Sequence, residues 1–113
     1  MITVKNALDA LKEAGLIEDW KWHTEYCYDM DGQVSPEYTE KWPVVAGADF
    51  QINNETYGRK SFLYFVCKND DVKDQVAACL RDHGGKPNFK WYPDEDRCFE
   101  MQVRRFKGAR HWE

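Results

Sequence analysis

A chain of 113 residues that is 42% hydrophobic and 15% aromatic has enough apolar mass for one packed core, and its composition excludes intrinsic disorder. A formal net charge of −4 excludes a general attraction to nucleic acid, and no apolar run approaches the ~20 residues of a membrane-crossing helix. The start, Met1-Ile2-Thr3-Val4-Lys5-Asn6, lacks the charged-then-apolar layout of a secretory leader, so the expectation is a single cytoplasmic domain over residues 1–113.

The first predicted element is a helix. Thr3 stands as its cap, Ile2 as its hydrophobic staple, and Val4, Ala7, Leu8 and Leu11 recur at helical spacing before Gly15. Residues 20–28 then alternate, with Trp20, Trp22, Thr24, Tyr26 and Tyr28 on one face and Lys21, His23, Glu25 and Cys27 on the other. That pattern predicts a half-buried strand. Asp31-Gly32, Ser35-Pro36 and Trp42-Pro43 mark residues 29–43 as a loop. A strand is expected over residues 44–53 and a hairpin turn from Asn53 to Gly58. Residues 61–68 are apolar on both faces, which places that strand centrally in the sheet.

A second helix is predicted from Asn69 or Asp70 to Gly84-Gly85, with Val72, Val76, Cys79, Leu80 and His83 on its apolar stripe. Residues 89–92, a Pro93-Asp94-Glu95-Asp96 turn and residues 97–105 complete a hairpin; Phe99, Met101 and Val103 face one way, Cys98, Glu100, Gln102 and Arg104 the other. The predicted order is α-β-β-β-α-β-β. It describes an α+β two-layer sandwich, with two helices on one face of a mainly antiparallel sheet of about five strands.

One phrase occurs twice. Leu11-Lys12-Glu13-Ala14-Gly15, four residues and Trp20-Lys21-Trp22 are echoed by Leu80-Arg81-Asp82-His83-Gly84, four residues and Phe89-Lys90-Trp91. Duplication and convergence on a helix-glycine-strand corner both account for it.

No chemical signature stands out, and the expectation is a protein that is not an enzyme and carries no catalytic residue, metal or cofactor. The cysteines Cys27, Cys67, Cys79 and Cys98 read as free thiols, because disulfide scaffolds are loop-rich and this chain is not. Their spacing forms no zinc motif. Asp29-Met30-Asp31-Gly32 has the centre of a calcium loop without its first and last ligands, and an Asp-Gly turn explains it. The weakest functional reading is a thiol enzyme using Cys27 with His23.

Charge and aromatic residues say more. Residues 1–58 hold 11 acidic and 4 basic side chains, residues 59–113 hold 9 and 12. The binding candidates are Trp22, Tyr26, Tyr28, Trp91, Tyr92, Arg104, Arg105, Lys107, Arg110 and Trp112. Aromatic and arginine side chains dominate protein interfaces, and the leading expectation is a small binding module of accessory or inhibitor type, docking a protein partner or pairing as a homodimer. Chains of this kind are frequent among bacterial, phage and mobile-element accessory proteins, an association and not a physical derivation. The alternative is single-stranded nucleic-acid binding, by stacking on sheet aromatics and phosphate contacts from the basic end.

Overall fold

Both helices start and stop on the signals the sequence carries. In α1 (Val4–Glu13) the Thr3 hydroxyl accepts the Asn6 N–H at 3.0 Å; in α2 (Asp70–Asp82) the Asn69 side chain accepts the Val72 N–H at 2.9 Å. Each satisfies a donor that the first turn leaves without a partner. The C-termini are two copies of one motif. Leu16 N–H reaches Leu11 O at 3.0 Å and Gly15 N–H reaches Lys12 O at 3.0 Å; Gly85 N–H reaches Leu80 O at 2.8 Å and Gly84 N–H reaches Arg81 O at 3.1 Å. These are paired Schellman closures, and they require the left-handed residue that Gly15 (φ 77°) and Gly84 (φ 89°) supply. The repeated phrase is therefore a repeated helix stop.

The computed structural model describes residues 1–34, 40–89 and 97–106. Its elements run α1, β1 (Asp19–Glu25), β2 (Glu40–Ala46), β3 (Phe50–Tyr57), β4 (Lys60–Cys67), α2 and β5 (Cys98–Val103). The fold is α+β, and every strand pairing is antiparallel. The strands form two sheets, a β1-β2 pair and a β3-β4-β5 sheet with β4 in the middle.

Several expectations change. The order among the described residues is α-β-β-β-β-α-β, because the stretch read as one strand over residues 44–53 is two. Gly47 (φ 61°) turns the chain there, and a Cβ on it would collide with the Glu18 side chain. Pro43, read as a breaker, lies within β2 opposite Trp22; among the described residues β2 pairs with β1 alone, and such an edge strand is where a sheet accepts proline. Third, Asn53 and Asn54 belong to β3, and the hairpin turns at Gly58-Arg59 between Tyr57 and Lys60. Gly58 has φ 59° and Arg59 is not left-handed, the pattern of a two-residue turn with glycine first. Fourth, β1 ends at Glu25, and Tyr28 instead bridges to Val34 across a turn in which Asp29 Oδ1 accepts the Asp31 and Gln33 N–H groups, each at 2.9 Å.

Most of the first arm and the turn of the hairpin predicted over residues 89–105 (residues 90–96) lie outside the described residues, which show one backbone bridge beside β5. Asn88 and Glu100 exchange both backbone hydrogen bonds, at 2.7 and 3.1 Å.

The core lies on one side of the three-stranded sheet. Phe50, Leu63, Phe65, Cys67, Phe99, Met101 and Val103 share that face by register, and Val4, Ala7, Leu8 and Leu11 of α1 with Val76, Ala77 and Leu80 of α2 cover it. His83, expected on the core stripe, is exposed at the end of α2, with Nδ1 2.8 Å from Cys79 O. Phe65 stacks on Phe99 at 4.6 Å between centroids and 8° between planes. Full burial of such a side chain stabilises by about 1.5–3 kcal/mol. The β1-β2 pair is fastened to this unit by Trp20, whose indole N–H donates to Asp9 Oδ1 at 2.8 Å, and by Trp22 against Phe106 at 5.0 Å. Among the described residues, no helix is long and apolar enough to cross a membrane.

Phe65→Ala is expected to lower the unfolding free energy by about 3–5 kcal/mol in urea titration, because it leaves a cavity at the centre of the core. Val44→Ser, on an exposed strand position, is expected to change it by less than about 0.5 kcal/mol.

Candidate functional site

The residues singled out from the sequence do not form one site. Trp22 is half-buried, edge-on to Trp20 at 5.7 Å, with Lys41 Nζ 4.3 Å above its ring; those contacts pack the two strands of the small sheet, and Phe106 ties it to the larger unit. Tyr26 and Tyr28 are exposed beyond the end of β1, beside the fully exposed Met30. Arg104 and Arg105 are exposed after β5, and the Arg104 N–H donates to Ile2 O at 2.9 Å, tying that end to the N-terminus. Trp91, Tyr92, Lys107, Arg110 and Trp112 lie outside the described residues.

The thiol cluster is not arranged as a strand row. Cys27 falls past the end of β1, and the His23 ring lies 4.8 Å from that of Trp42, its cross-strand partner. The Cys67 thiol is pushed up to about 11, first by burial and then by neighbouring Cys98, against a smaller opposite pull from Lys73. Burial, with the charges of Asp82 and Glu13, also raises the Cys79 thiol, whose sulfur contacts Ala10 O at 3.6 Å. Neither suits nucleophilic chemistry. Among the described residues, no group of three His, Cys, Asp or Glu side chains is placed to hold a metal ion.

A different surface does gather interacting groups. The side of β3-β4-β5 opposite the helices carries Gln51, Asn53, Glu55 and Tyr57 from β3, Phe62, Tyr64 and Val66 from β4, and Cys98, Glu100 and Gln102 from β5, as the register dictates. Phe62, Tyr64 and Val66 are half-buried, yet they belong neither to the core cluster nor to the hydrophobic residues packed against it. Tyr57 is 52% exposed, and its ring lies 6.2 Å from that of Phe62. Its hydroxyl donates to Glu55 Oε2 at 3.0 Å, and that bond, with burial and the charges of Glu55 and Glu100, raises its pKa.

A cavity of about 440 Å³ borders this face at its β5 side, between Phe62, Glu100 and Gln102 of the sheet and Met1, Ile2, Gly84, Lys86 and Asn88. That volume falls within the range of ligand pockets. Burial, and secondarily the charge of Glu55, raises the Glu100 carboxyl. Among the described residues no side chain hydrogen-bonds or ion-pairs with it.

Sequence reasoning missed Tyr57, Phe62, Tyr64 and Glu100. The signal was present: a central strand apolar on both faces cannot be covered twice by helices that lie on one side.

Two measurements follow from this geometry. Because the fold raises the Glu100 pKa above its unfolded value, folding is penalised above the folded pKa, and the penalty fades as pH falls towards the ordinary glutamate value near 4. Glu100→Gln is therefore expected to raise Tm at pH 7 and leave it unchanged at about pH 3. In the native protein, iodoacetamide is expected to label Cys67 and Cys79 more slowly than after denaturation in urea, and mass mapping of labelled peptides checks this. Compared with known protein families, curated proteins and solved structures, the chain matches none.

Proposed function

We propose that this chain is a non-enzymatic binding module of accessory or inhibitor type that docks a partner protein on the outer face of β3-β4-β5. The observation that carries the reading is the second apolar row of β4. Phe62, Tyr64 and Val66 lie on the side away from both helices, with Tyr57 exposed beside them. The parts of Phe62, Val66 and Tyr57 that reach solvent are area whose burial on a partner stabilises by about 25 cal/mol per Å², and an apolar strip framed by polar residues marks an interaction surface. Tyrosine and phenylalanine give such a surface large contact area, with hydroxyls for orientation.

Nucleic-acid binding gains less support. Arg104 and Arg105 are exposed, but Glu55 and Glu100 stand among the sheet aromatics, where a stacked strand would carry its phosphates. The absence of a disulfide among the four cysteines fits a cytoplasmic setting.

A photo-cross-linking amino acid at position 57, compared with one at exposed Gln75 on α2, tests the reading in cells of the native host. We expect a discrete protein adduct from position 57 and none from position 75. Phe62→Ser is expected to weaken binding of the captured protein at least tenfold, since anchor aromatics carry much of an interface's energy. Equal labelling from both positions, or an adduct removed by nuclease, would contradict the proposal.

A further inference from the structure

We propose that the cavity beside Glu100 is the specificity pocket of this docking face, and that it takes a lysine or arginine side chain from a partner presenting a basic segment with an apolar neighbour. The inference rests on the docking reading above and names the partner's chemistry.

Complementarity argues for it. The cavity offers the three surfaces that a long cationic side chain uses. Glu100 supplies a carboxylate that has no ion-pair or hydrogen-bond partner among the described residues. Met1, Ile2 and Phe62 supply apolar wall for the methylene stem, which such residues bury while the head meets a polar group. Phe62 also presents a ring to the cation, and Gln102 a side-chain amide. A space of about 440 Å³ exceeds one side chain and leaves room for an apolar neighbour against Phe62.

Nearby charges of both signs act on an incoming cation. Glu55 lies on the same face, and its charge is felt at Glu100, so an approaching cation meets two carboxylates. Lys86 and the N-terminal ammonium of Met1 oppose it, but both residues are exposed, where solvent and salt screen their field more than they screen the half-buried carboxylate. A second copy of this chain is a poorer occupant, because pairing these faces brings the Glu55 and Glu100 carboxylates of both copies together. A half-buried carboxylate that gains nothing within the fold is explained if its counter-charge arrives with the partner.

A phage-displayed library of random twelve-residue peptides is the probe, selected against the whole chain and counter-selected against Tyr57→Asp, an exposed position that leaves the core intact. We expect peptides that lose binding to Tyr57→Asp, share Lys or Arg at one fixed position, and bind Glu100→Gln about tenfold more weakly. Thermal melts of Glu100→Gln, expected to equal or exceed the parent, separate lost recognition from lost folding. Peptides that need Tyr57 but show no fixed basic position, or that bind Glu100→Gln unchanged, overturn the pocket assignment and leave the docking face standing. Recovery only of peptides indifferent to Tyr57→Asp overturns both. A homodimer in sedimentation that Tyr57→Asp dissolves makes the occupant a second copy, and also overturns the assignment.

Discussion

The architecture depends on one strand with two apolar faces and helices for only one of them. β4 sends Leu63, Phe65 and Cys67 into the core and Phe62, Tyr64 and Val66 to the other side. Once α1 and α2 lock onto the first set, the second is committed to the outer surface, because alternate residues of a strand cannot share a face. The core side is closed by stacked Phe65 and Phe99 and by Leu8, Leu11 and Leu80, all fully buried. The asymmetry of the sheet therefore follows from where the helices pack, and the docking proposal follows from that asymmetry.

The doubled helix stop shows how one local solution serves two purposes. Both helices end in the same hydrogen-bonded closure, and the aromatic residue nine positions after the leucine, Trp20 or Phe89, packs against the core in each copy. The copies diverge at the residue after the left-handed glycine. Leu16 occupies it after α1, and the chain leaves for the separate β1-β2 pair. Gly85 occupies it after α2, buried where a Cβ would strike the Met101 sulfur and the Leu80 carbonyl. That close approach lets the chain run on beside β5 and pair Asn88 with Glu100. Lys86 and Asn88 then wall the cavity that holds the Glu100 carboxylate. A side chain at Gly85 would push this wall away from the sheet.

Much of the fold was legible in the residues. Caps at Thr3 and Asn69, glycine stops, the alternation of β1 and β5 and the two-faced apolar run of β4 all report local geometry, which short-range sequence encodes well. The misread parts turn on context. Pro43 signals a break unless the strand has a free side, and Gly47 is one small residue in an apolar run until the Glu18 contact is seen. The Asn-Asn pair resembles a turn until the register carries β3 past it. The candidate site was harder, because attention went to aromatics in loops and at the basic end. Periodicity identifies which residues share a face, and only packing identifies which face is covered.

The central claim is that Phe62 and Val66 keep partial access to solvent in the free protein while Leu63 and Phe65, their neighbours on the same strand, have none. Paramagnetic relaxation of side-chain protons by a soluble gadolinium chelate reads this directly. The account predicts strong enhancement at Val66 methyl and Phe62 ring protons and little at Leu63 and Phe65, one residue away. Equal protection on both sides of β4 would mean that the strand is covered twice, and would contradict it.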